Sequence, residues 1–142
     1  MNRRSLLLSA VALLVAPAAQ AQARMETMAS MSIIADLVRQ VGGARVKVET
    51  LVGPQSDAHV FQPAPKDARR VAQAKILFVN GLGLEGWLPR LVQASGGAAR
   101  IVTVSNGVKP IRSEADAHGH AFDPHAWQDV GNAKIYVANI RD

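Results

Sequence analysis

No cysteine occurs among the 142 residues. Disulfides, thiolate metal sites and cysteine nucleophiles are therefore excluded. Aromatic residues are scarce, at 4%, and no basic run stands out. The formal charge is +5. Arg3 and Arg4 supply two of those charges, so the rest of the chain carries only +3. The cationic stripes and stacking platforms of nucleic-acid binders are missing, and no nucleic-acid partner is expected. Beyond Ala16 no apolar stretch approaches the roughly 20 residues that a membrane helix needs, so the chain after it reads as soluble.

The N-terminus holds a basic start (Met1 to Arg4), an apolar run (Ser5 to Ala16) and a small-residue exit (Pro17 to Ala23). The exit offers two A-x-A sites. This is the pattern of a secretory signal peptide, cleaved after Ala21 or Ala23. Arg3-Arg4 also invites a twin-arginine reading, but the flanking residues fit that poorly and favour the ordinary route. Residues 1–23 are thus expected to be a leader and residues 24–142 one modest domain in the periplasm.

That domain alternates strand-like and helix-like segments. Glu26 to Met31 reads as a strand. Ile33, Ile34, Leu37, Val38 and Val41 fall at helical spacing up to Gly42-Gly43. Val46 to Val52 reads as a strand, Pro65 to Ala74 as a helix, and Ile76 to Val79 as a buried strand. Trp87 to Ala94 reads as a helix, Ile101 to Val104 as another buried strand, and the pattern turns helical again from about Asn132. The βαβαβαβ order predicts an α/β fold: a Rossmann-like lobe with a mostly parallel four-stranded sheet flanked by helices. Ligands of such sheets bind beyond the carboxyl ends of the strands. The last helix has no C-cap, so the chain is expected to be cut short, leaving Ile135 and Ile140 exposed.

Two short segments echo each other there: Asp57-Ala58-His59 and Asp123-Pro124-His125. Each follows a polar loop and leads to an aromatic residue, Phe61 or Trp127. Neutral imidazoles are common ligands of zinc and other borderline metals. Asp57 and Asp123 are candidates to hold the second ring nitrogens. Read alone, each histidine is equally well a plain loop or helix-start residue. His118-Gly119-His120 lies in an acidic loop and offers accessory metal capture, or no role at all. Gly81, Gly83 and Gly86 formally match the G-x-G-x-x-G dinucleotide fingerprint. The strand before them is the third rather than the first, and no acidic residue ends the next strand. A tight structural turn is the better reading.

Together the motifs resemble the periplasmic zinc/manganese receptors of ABC-type metal importers. The resemblance rests on Ile34-Ala35-Asp36-Leu37-Val38, Val52-Gly53-Pro54, Asp57 to Pro63, Asn80 to Trp87, Asp123 to Trp127 and Asn132-Ala133. It implies a two-lobe receptor with a helical backbone, of which this is the N-terminal half. It also implies His59 and His125 as metal ligands, with a third histidine or glutamate and a fourth carboxylate in the other lobe. Zn²⁺ is the expected metal and Mn²⁺ the alternative. The implied partner is the membrane permease of the importer, served by a monomeric, non-enzymatic receptor. Ala58 departs from the family's usual proline, which loosens that loop slightly. A chain cut short in this way is expected to bind metal weakly. The competing readings are a secreted α/β metal-dependent hydrolase, for which no general base or nucleophile motif is in view, and an inactive fragment.

Overall fold

The computed structural model describes residues 23–113 and 121–142. Residues 1–22 of the expected leader (1–23) and the His118–His120 tract (within 114–120) lie outside the described residues. The chain runs β1 (Met25–Met31), α1 (Ser32–Gly42), β2 (Val46–Val52), α2 (Pro65–Gln73), β3 (Ile76–Val79), α3 (Leu88–Ala94), β4 (Arg100–Thr103) and α4 (Val130–Arg141). One-turn 3₁₀ segments occupy Gly43–Arg45 and Ala126–Gln128.

The strands form one sheet in the order β2-β1-β3-β4, and every pairing is parallel. Expectation and structure agree on the elements to within two residues, and the sheet is parallel throughout rather than mostly so. β1 and β3 are central, and Leu77, Phe78 and Val79 are buried there as their unbroken apolar run requires. β4 departs from the expected buried strand. It lies at the sheet edge, so Ile101 is 43% exposed.

Helix α1 buries Ile34, Ala35 and Val38 against β1 and β2 and leaves Ile33 outside. Helix α4 packs against α1. Its N-terminus is capped by Asp129, whose carboxylate accepts the Gly131 N–H at 2.7 Å. That cap starts the helix at Val130, two residues before the sequence pattern suggests. Ile135 and Ile140 do not stand exposed as expected. Both are half-buried against the core, and the exposed apolar residues of α4 are Val130 and Val137.

Two polar tethers fix the framework under the loops. Arg70 on α2 donates to Glu49 (3.0 Å) and to the Thr50 carbonyl (2.9 Å) on β2. These contacts hold together the two elements that bracket residues 53–64. Asn139 on α4 donates to the carbonyls of Val104 (2.7 Å) and Asn106 (2.8 Å), just past β4.

Candidate metal centre

The chain order reverses between the paired strands β1 and β3, with β2 laid outside β1 and β4 outside β3, and the carboxyl ends of the strands share one edge. This is the topological switch point at which open α/β sheets bind ligands. The loop after β2 carries His59, and the connection after β4 carries His125. The structure brings the two rings together: His59 Nε2 and His125 Nε2 lie 3.2 Å apart, with ring centroids at 5.2 Å and planes inclined by 50°.

The Asp-x-His echo is a structural echo as well. Asp57 Oδ1 accepts the backbone N–H of His59 at 2.8 Å, and Asp123 Oδ1 accepts that of His125 at 2.9 Å. Each is an Asx turn, in which a short carboxylate folds back on the chain two residues ahead. The two aspartates differ in reach. Asp123 Oδ1 also lies 2.7 Å from His125 Nδ1, whereas Asp57 meets His59 through the backbone. With Nδ1–H donated to Asp123, a neutral His125 ring turns its Nε2 lone pair toward His59.

The peptide unit before each histidine is held at both ends. Its N–H goes to the aspartate of the same segment. Its carbonyl goes to the loop after β3. Trp87 Nε1 donates to the Ala58 carbonyl at 2.8 Å, and Asn80 Nδ2 donates to the Pro124 carbonyl at 3.0 Å. Asn80 and Trp87 stand at the two ends of one eight-residue turn, so a single loop braces both histidine segments. Phe61 packs edge-on against Trp87, with centroids at 5.0 Å, and Trp127 packs edge-on against His125 at 5.2 Å.

Glu85 is what shapes that turn. It is 6% exposed, and its carboxylate accepts from Ser30 Oγ (2.6 Å), Asn80 N (2.7 Å) and Gly81 N (3.0 Å). Burial raises its pKa above the ordinary 4.5, and these donors pull it partly back. The backbone N–H groups that a dinucleotide phosphate would use at this turn are thus already given to an acid of the chain itself. Gly81 has φ +81°, and a Cβ there would lie 2.4 Å from Thr103 Cγ2. The glycines serve a tight turn against β4. Asn80, Glu85, Trp87 and Tyr136 were not singled out as site residues from sequence. Polar residues in the turn after a buried strand are the available signal, but each of the four also has a partner 29 to 56 positions away.

Two imidazole nitrogens facing each other at 3.2 Å need something between them. A proton on one ring makes a hydrogen bond. A cation satisfies both lone pairs. At a zinc–nitrogen distance of about 2.0–2.1 Å, two ligands of a tetrahedral ion stand about 3.3–3.4 Å apart, close to the spacing found. Among the described residues no group of three or more His, Cys, Asp or Glu gathers to hold a metal ion.

Fold and edge together define a class: a parallel α/β lobe presenting two facing imidazoles on one braced loop cluster. Comparison with known proteins takes this further. The chain belongs to the family described as zinc-uptake complex component A, periplasmic, whose family model matches residues 28–142. It is 36% identical to the manganese-binding lipoprotein MntA of Halalkalibacterium halodurans, over 83% of this chain and 38% of that protein. It is 33% identical to the metal ABC transporter substrate-binding lipoprotein SsaB of Streptococcus sanguinis, over 96% of this chain and 48% of that one. The solved Mn-bound periplasmic metal binding protein from Candidatus Liberibacter asiaticus superposes with a TM-score of 0.73 at 34% identity, covering 83% of this chain and 44% of that one. The chain therefore spans less than half the length of these relatives.

Proposed function

We propose that this chain forms the metal-binding N-terminal lobe of an exported receptor that delivers zinc to an ABC-type membrane permease. His59 and His125 are two of the ligands of the cargo ion. The observation that carries this reading is the 3.2 Å separation of their Nε2 atoms, near the bite of a tetrahedral zinc site. Asp123 sets the tautomer of His125, and Asp57 fixes the backbone under His59. Residues 1–23 act as the leader and residues 24–142 as the lobe, working in the periplasm as a monomer with no nucleic-acid partner.

The remaining ligands come from the second lobe of the whole receptor, for which the greater length of the relatives leaves room. His118 and His120 serve as accessory capture residues. Two nitrogen donors favour zinc, and a set completed by carboxylates shifts the preference toward manganese. The relatives named for manganese keep that alternative open. No step of catalysis is assigned to the pair: it faces a partner imidazole rather than a nucleophile, and the relatives are named as binding proteins.

Competition binding with the whole receptor tests the assignment. Zn²⁺ is expected to displace Mn²⁺, and both to outcompete Ca²⁺ and Mg²⁺. A receptor that prefers Ca²⁺ or Mg²⁺ has oxygen ligands, and His59 and His125 are then not its site.

A further inference from the structure

Asn80 is fully buried, and its side chain is hydrogen-bonded on every side. Its Nδ2 donates to two carbonyls, Pro124 at 3.0 Å and Gly81 at 2.9 Å. A carbonyl only accepts, so the amide nitrogen must face them, and the orientation of the amide follows. Oδ1 is thereby turned to Tyr136, 2.7 Å away on α4. An amide oxygen only accepts as well, so the Tyr136 hydroxyl must donate. The backbone N–H of Asn80 goes to Glu85, which also takes the hydroxyl of Ser30 at the end of β1. One residue thus joins β3, the turn after it, helix α4 and the segment that carries His125.

The Pro124 carbonyl belongs to the peptide unit that leads into His125. With its N–H held by Asp123, that unit has no freedom to rotate while Asn80 holds its oxygen. Rotation of this plane swings the His125 Cβ, and with it Nε2, away from His59. We propose that Asn80 is the positioning residue for His125, and that through Tyr136 it ties the placement of that imidazole to helix α4. This rests on the reading of His125 as a ligand. A movement of α4 relative to the sheet then reaches the metal pair through two hydrogen bonds, Tyr136 to Asn80 and Asn80 to Pro124.

The test uses the full chain with Asn80→Ala and Tyr136→Phe, each beside His59→Ala and His125→Ala. Two readouts are taken: the imidazole Cε1–H resonances without metal, and the affinity for Zn²⁺ alone. Both positioning variants are expected to shift or broaden the His125 resonance by clearly more than that of His59, which feels the change only through its contact with the His125 ring. Zn²⁺ affinity is expected to fall roughly 10- to 100-fold for Asn80→Ala and about tenfold for Tyr136→Phe, the range seen when a support of a metal ligand is removed. A purely structural role would disturb both histidines together. An unmoved His125 resonance with unchanged affinity, or equal movement of both rings, overturns the proposal. Where Asn80→Ala does not fold, Tyr136→Phe, which removes one oxygen, decides. If His59→Ala and His125→Ala leave Zn²⁺ binding intact, the ligand reading fails, and the metal-free spectra still decide the role of Asn80.

Discussion

Asp123 holds His125 twice, taking its backbone N–H at 2.9 Å and facing its Nδ1 at 2.7 Å with the same oxygen. One carboxylate therefore fixes both the loop and the ring that the loop presents. Asp123→Ala removes both contacts, and Zn²⁺ affinity is expected to fall roughly 10- to 100-fold. Asp123→Asn keeps a carbonyl oxygen for the same donors and is expected to lose less. Chelator-competition titration of the two variants checks this. Equal losses would mean that the charge of Asp123, rather than its geometry, is what matters.

Gly81 is set by space as well as by backbone angle. Its φ of +81° strains any L side chain, and an added Cβ would press on the methyl of Thr103, a short β-branched residue in the neighbouring strand. Gly81→Ala is expected to lower unfolding free energy by about 2–4 kcal/mol. Because the same turn begins at Asn80 and ends at Trp87, the variant should also weaken Zn²⁺ binding in whatever fraction stays folded. Urea unfolding at neutral pH measures the first effect. A loss below about 0.5 kcal/mol, the range of a plain surface change, would show that the turn adapts.

Glu85 makes a pH prediction whose sign follows from its burial. Burial raises the folded-state pKa above 4.5, against the pull of its three donors. A carboxyl with a raised folded pKa contributes most stability below its unfolded value and loses it as pH climbs through the folded value. The stability of the wild-type chain should therefore fall relative to Glu85→Gln over the pH interval that begins near the ordinary carboxyl value of 4.5 and extends upward from it. Paired denaturant curves across that interval test it, and a relative rise would contradict it. Tyr136 adds nothing there. Burial and the nearby Glu85 charge push its pKa up to about 12, so it remains a donor to Asn80 throughout.

Much of the fold is legible in local pattern. The apolar runs of β1 and β3, the valine alternation of β2 and the glycines after α1 mark their elements because each is a local preference. Strand order is not local, so nothing in Ile101 to Val104 announces an edge strand, and the run reads as buried. For α4, the packing of Ile135 and Ile140 against the core depends on where the helix lies. The site divides in the same way. His59 and His125 stand out because Asp-x-His occurs twice, and the Asx turns behind the echo are local chemistry. Asn80, Glu85, Trp87 and Tyr136 each depend on at least one partner far along the chain, as when Tyr136 reaches back 56 positions to Asn80. Sequence spacing carries no trace of those bonds.

On the proposed reading, His59 and His125 hold one metal ion between them. Calorimetric titration of Zn²⁺ into the leader-free chain, the His59→Ala chain and the His125→Ala chain tests it most directly. With two protein ligands among the described residues, the wild-type chain is expected to bind one Zn²⁺ with a dissociation constant of about 1 μM or weaker, roughly −8 kcal/mol. Each substitution alone should abolish most of the heat, because either imidazole by itself is a poor site. Binding that survives both substitutions, or that falls for one and not the other, would contradict a shared ion.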